Sequence, residues 1–134
     1  MPKKVMVIDD EPDIQMYLMA ALEDEGYETC SLEPGASVES ILDAEKPDLV
    51  VLDIMMPRRS GISIYTRLRT SEAYRHLPIV LISGMSSAKD FLPGGFRTMV
   101  PDETIPLPDA FVEKPVQIPA FAQTVGSLLD PHAP

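Results

Sequence analysis

Short apolar runs rich in β-branched residues alternate along this chain with longer segments whose apolar residues fall at helical spacing, and that alternation dictates βαβ units. The runs are Val5-Met6-Val7-Ile8, the weaker Glu28-Thr29-Cys30-Ser31, Leu49-Val50-Val51-Leu52, Ile79-Val80-Leu81-Ile82 and Phe111-Val112-Glu113. Three of them are apolar throughout, as strands buried on both faces must be. The expected fold is α/β, a sheet of five parallel strands joined by helical crossovers.

The segments between the runs read as helices with identifiable ends. Pro12 suits a first helical turn, Ile14, Leu18, Ala21 and Leu22 share a face, and Gly26 stops the helix. A second helix is expected from Ser37, with Val38, Ile41 and Leu42 inward and Pro47 barring its extension. Ser60-Gly61 opens a third, burying Ile64, Tyr65 and Leu68. The last starts near Pro119 and turns Phe121, Val125, Leu128 and Leu129 toward the sheet.

The 134 residues suffice for one domain, expected over residues 1–130, with 131–134 as a frayed tail. Acidic side chains outnumber basic ones by 21 to 11, for a formal charge of -10, and such a field repels nucleic acid and anionic lipid. Neither direct nucleic-acid binding nor membrane binding is expected. The apolar stretch behind Lys3 and Lys4 is far too short for a signal peptide or a membrane span, and Cys30 has no partner for a disulfide. A cytoplasmic location fits both.

Parallel strands deliver all their C-terminal ends to one edge, where ligands of such folds bind. Strand one ends in Asp9-Asp10, strand three in Asp53 and strand four in Ser83, while Lys114 follows strand five. Crowded carboxylates repel each other unless a cation sits among them, and an all-oxygen donor set favours Mg²⁺. With Lys114 as a second positive charge and Ser83 as a donor, the set has the parts that stabilise a transferring phosphoryl group. Asp53 is the expected nucleophile because it ends a central strand; Asp9 and Asp10 are better placed as metal holders. No histidine competes: His76 precedes Pro78 in a polar connection, and His132 lies in the tail.

Four segments together resemble the receiver domains of bacterial two-component response regulators. They are Val-Ile-Asp-Asp-Glu-Pro at 7–12, Pro-Asp-Leu-Val-Val-Leu-Asp-Ile-Met-Met-Pro at 47–57, Leu-Pro-Ile-Val-Leu-Ile-Ser-Gly at 77–84 and Phe-Val-Glu-Lys-Pro at 111–115. The resemblance implies a flavodoxin-like, doubly wound sheet in the strand order 2-1-3-4-5. It implies too that Asp53 accepts a phosphoryl group from a phosphohistidine on a sensor histidine kinase or phosphotransfer protein, and that the chain signals to a downstream protein target. It implies Mg²⁺ bound by Asp10, Asp53 and the backbone carbonyl of Met55, with Asp9 acting through a water. Ser83 would contact the phosphoryl oxygen, Lys114 would pair with the phosphoryl group, the Lys114-Pro115 bond would be cis, and Phe111 would be the aromatic switch. Met55 and Met85 flank the site without a side chain able to orient water, which implies slow self-dephosphorylation.

Two other functions compete with the phosphorylated receiver. An aspartyl phosphatase would need a second acid two residues past Asp53, where Met55 stands. A receiver that folds without taking phosphate would be a pure interaction module, against which the intact acid set and Lys114 argue. The stretch from Gly84 to Ala110 departs from the family. Ser87-Ala88-Lys89-Asp90 can start a helix, but Pro93-Gly94-Gly95 ends it, and Pro101, Pro106 and Pro108 exclude a regular helix afterward. A shortened or displaced fourth helix is therefore expected, with a remodelled partner face or a tolerated insertion as its meaning.

Overall fold

The computed structural model describes residues 2–32, 35–54, 61–84 and 96–130. In chain order the elements are β1 (Lys4–Ile8), α1 (Pro12–Asp24), β2 (Glu28–Ser31), α2 (Val38–Glu45), β3 (Leu49–Asp53), α3 (Gly61–Thr70), β4 (Ile79–Ser83), the single-turn α4 (Phe96–Met99), β5 (Ala110–Glu113) and α5 (Ile118–Leu129). The five strands form one sheet in the order β2-β1-β3-β4-β5, and every pairing is parallel. The expected fold class and strand order are both present.

Local chemistry explains the helix ends. Pro12 occupies the first turn of α1, and Gly26, at a φ of 94°, ends the segment in a conformation that side chains resist. The Ser37 hydroxyl caps α2 by accepting from the Ser40 N–H at 3.1 Å. At its other end Lys46 turns left-handed, at a φ of 49°, just before Pro47.

Strand alternation divides the core between the two faces of the sheet. Met6, Ile8, Val50, Leu52, Ile79 and Leu81 face α2, α3 and the α4 segment. Val5, Val7, Leu49, Val51, Val80 and Ile82 face Leu18 and Leu22 of α1 and Phe121 and Val125 of α5. Cys30 is buried, and burial, then the Glu45 charge, pushes its thiol up to about 11. It behaves as the small apolar residue its isolation in the sequence predicts.

The connection between β4 and β5 is described at residue 84 and from residue 96 onward. Its described part holds one helical turn and then runs to β5 without further helix. Phe96, Val100 and Ile105 nonetheless enter the core, and the Phe96 ring meets Tyr65 edge-on at 5.4 Å. The Tyr65 hydroxyl donates to the carbonyl of Pro106 at 2.7 Å. Arg69, on the same helix, is buried and donates to the carbonyls of Arg75 (3.1 Å) and Leu77 (2.6 Å), to the Tyr65 hydroxyl oxygen (3.3 Å) and to Asp109 (2.7 Å). Asp109 in turn accepts from the Ile79 N–H at 2.8 Å, so the segment is fastened to both α3 and β4. The Ser87–Asp90 start, the Pro93-Gly94-Gly95 stop, Met55, Met85 and the tail 131–134 lie outside the described residues.

Candidate functional site

The C-terminal edge of the sheet gathers the expected polar residues. Asp9 follows β1, Asp53 and Ser83 are the last residues of β3 and β4, and Lys114 follows β5. These neighbours are fixed by register, since Asp53 lies opposite Ile82 and Ser83 opposite Glu113. All three of Asp9, Asp53 and Ser83 are buried, with Ser83 at 0% exposure. Polar groups placed so deep at strand ends are costly unless paired, which marks the edge as a working site.

Lys114 is the hub. Its Nζ donates to Asp53 Oδ2 at 2.9 Å and to Glu11 Oε1 at 3.3 Å, and lies 3.3 Å from Asp9 Oδ2. Burial by itself would lower the pKa of the ammonium. Hydrogen bonding and charge from Asp53, with Asp9 and Glu11 behind it, outweigh burial and raise it, so the amine is charged at any physiological pH. The peptide bond between Lys114 and Pro115 is cis, as expected. The Lys114 N–H also donates to the Ser83 carbonyl at 3.0 Å, holding the start of this turn to the end of β4.

Asp9 is in the opposite condition. Its Oδ1 accepts from the Glu11 N–H at 2.9 Å, while Oδ2 is buried and, among the described residues, accepts no hydrogen bond, its contact being the Lys114 ammonium at 3.3 Å. Burial raises its pKa, the Asp53 charge adds to that, and the Glu11 N–H and Lys114 offset it only in part. Carboxylate oxygens of Asp9, Glu11 and Asp53 come within 4.8 Å of one another. A buried oxygen without a hydrogen bond among the described residues, close to two further carboxylates that share one ammonium, fits a small divalent cation such as Mg²⁺.

Glu11 is the member that sequence reading missed. It directly follows the Asp9-Asp10 pair and stands at the N-cap position of α1 without a side-chain capping bond. The run of three acids before Pro12 was the available signal. Asp10, expected as a direct ligand, is partly buried beside this set but is not one of the three carboxylates that close to 4.8 Å. Phe111 is buried in the same apolar cluster as Phe96 and Ile105. Gly84, next to Ser83, is exposed.

Comparison with known proteins agrees with this geometry. The polar-differentiation response regulator DivK of Brucella anthropi is 29% identical, over 96% of this chain and 98% of its own length. A receiver domain of a signal transduction histidine kinase from Syntrophus aciditrophicus superposes with a TM-score of 0.77 at 25% identity, covering 97% of this chain and 92% of that one. The chemotaxis response regulator CheY4 of Vibrio cholerae shares the fold, with a TM-score of 0.73 at 21% identity over 96% of this chain and all of its own. No helix among the described residues is long and apolar enough to cross a membrane. The model of the response regulator receiver domain matches residues 5–95, and with the strand order and the residues at the sheet edge this places the chain in the response regulator receiver domain family.

Proposed function

We propose that this receiver domain takes a phosphoryl group onto Asp53 from the phosphohistidine of a sensor histidine kinase or phosphotransfer protein, in the cytoplasm, as a signalling domain and not as an enzyme with turnover. The observation that carries the reading is the Lys114 ammonium 2.9 Å from Asp53 Oδ2 and 3.3 Å from the buried Oδ2 of Asp9. Asp9 and Asp53 would hold Mg²⁺, with Asp10 and the Met55 carbonyl contributing as the family resemblance implies. The ion, when bound, neutralises the carboxylates and the phosphoryl oxygens.

The chain's own groups account for the rest. Asp53 Oδ attacks phosphorus in line as the bond to the donor nitrogen breaks, and the imidazole leaves with the bonding pair. Lys114, held by three acids, redirects its hydrogen bonds from the carboxylate to the incoming phosphoryl oxygens without changing its charge. Ser83, at the end of the neighbouring strand, offers a hydroxyl to the same group. The buried apolar strands beneath keep water from approaching Asp53 from below.

Incubation with Mg²⁺ and acetyl phosphate should add the mass of one phosphoryl group, and Asp53→Asn should add none. Addition of equal mass to Asp53→Asn, or none to the natural chain, would sink the reading. The latter result would leave a phosphorylation-independent interaction module as the better account.

A further inference from the structure

Glu11 stands apart from the other members of the site. The side chains of Asp9 and Asp53 are 1% and 2% exposed, whereas that of Glu11 is 65% exposed. Its carboxylate lies at the mouth, within 4.8 Å of the acceptor's, and shares the same ammonium. An exposed ion pair of this kind adds little to stability. Its charge, however, lies where any phosphoryl donor must enter.

Resting on the acceptor reading above, we infer that Glu11 is a specificity-determining residue: it repels small dianionic donors, so that efficient transfer needs a donor that brings its own cation beside the phosphoryl group. Asp9 and Asp53 repel the donor too, but both side chains are buried, and Asp53 must be approached for bonding. Glu11 alone in this set faces solvent and can be matched by a lysine or arginine on the donor's surface. A partner protein with a basic residue next to its phosphohistidine satisfies that requirement, and a free acyl phosphate does not.

A unit charge about 5 Å from a dianion slows its entry by about five-fold at moderate ionic strength. The test compares acetyl phosphate, a dianion, with phosphoramidate, whose protonated nitrogen gives it one negative charge fewer. In both reactions an Asp53 oxygen bonds to phosphorus. Acetate departs in the first as the P–O bond breaks, ammonia in the second as the P–N bond breaks, and each keeps the bonding pair.

With Mg²⁺ saturating, Glu11→Gln should accelerate labelling by acetyl phosphate about five-fold and by phosphoramidate about two-fold, and both gains should fade toward 1 M salt. Glu11→Asp, which keeps the charge on a shorter side chain, should gain less with acetyl phosphate than Glu11→Gln does. Equal gains with the two donors, gains that survive high salt, or slower labelling of Glu11→Gln would each overturn the inference while leaving Asp53 as acceptor. Failure of the natural chain to label with either donor would overturn the acceptor reading, and this inference with it.

Discussion

Among the described residues, Arg69 and Lys114 are both cations drawn into the fold, and their surroundings differ in kind. Arg69 meets one carboxylate, two carbonyls and a phenol, so its charge and its planar N–H groups are answered by acceptors at 2.6 to 3.3 Å. Lys114 meets three carboxylates with a single ammonium, and one buried oxygen of Asp9 is left without a hydrogen bond. One corner is electrostatically closed. The other carries surplus negative charge, which is a cost to folding and an opening for a cation. A saturated cation holds structure together, and an oversubscribed one marks where chemistry is waiting for a missing charge.

The largest effect should come from the closed corner. Arg69→Met strands two carbonyls and a carboxylate that still accepts from Ile79, and because Asp109 is partly open to solvent the loss should be about 2–4 kcal/mol. Urea unfolding measures it; a loss below about 1 kcal/mol would mean that the corner is not the brace its geometry describes.

Neutralising the open corner should act in the other direction. Asp9→Asn keeps an oxygen for the Glu11 N–H and removes the buried surplus charge, so without divalent ions it should gain about 1 kcal/mol at neutral pH. The sign with pH follows from the raised Asp9 pKa. The natural protein recovers this deficit as pH falls through that value toward 3.8, so the variant's advantage should shrink on acidification. An advantage that grew on acidification would contradict the surplus-charge account.

The smallest effect separates the two cations by titration. Lys114's contribution is complete below its ordinary value of 10.5 and is lost only as pH rises through its raised folded value, whereas Arg69 keeps its charge throughout. Stability in alkali should therefore fall more steeply for the natural chain than for Lys114→Met, by less than about 1 kcal/mol, as urea unfolding across the alkaline range would show. Cys30, whose folded thiol is pushed up from 9.0 to about 11, also costs stability as pH rises, but equally in both proteins, so the difference isolates Lys114.

The sheet and the edge residues were legible because each is written locally. The run from Leu49 to Leu52 is apolar without interruption and leads straight into Asp53, so burial on both faces and a polar terminus are visible in five letters. Arg69 was not legible. It follows Leu68 on α3 and looks like a solvated helix residue, and its burial depends on Asp109, forty positions away. The segment holding Phe96, Val100 and Ile105 has no period to read, since prolines and glycines interrupt it and its packing is set by Tyr65 and Arg69. Glu11 was hidden for a different reason. That Glu11 joins Asp9 at the lysine depends on how the chain turns from β1 into α1, and composition is silent about direction.

Gly61 contributes no chemistry, yet a Cβ built there would stand 2.3 Å from the carbonyl oxygen of Asp53 and 2.5 Å from the Cα of Ile54. The first turn of α3 is thus seated directly on the peptide that carries the acceptor. Any larger residue would wedge the two apart and tilt the aspartate away from its lysine, so the aim of the reactive carboxylate is set by a hydrogen atom where every other amino acid would have carbon.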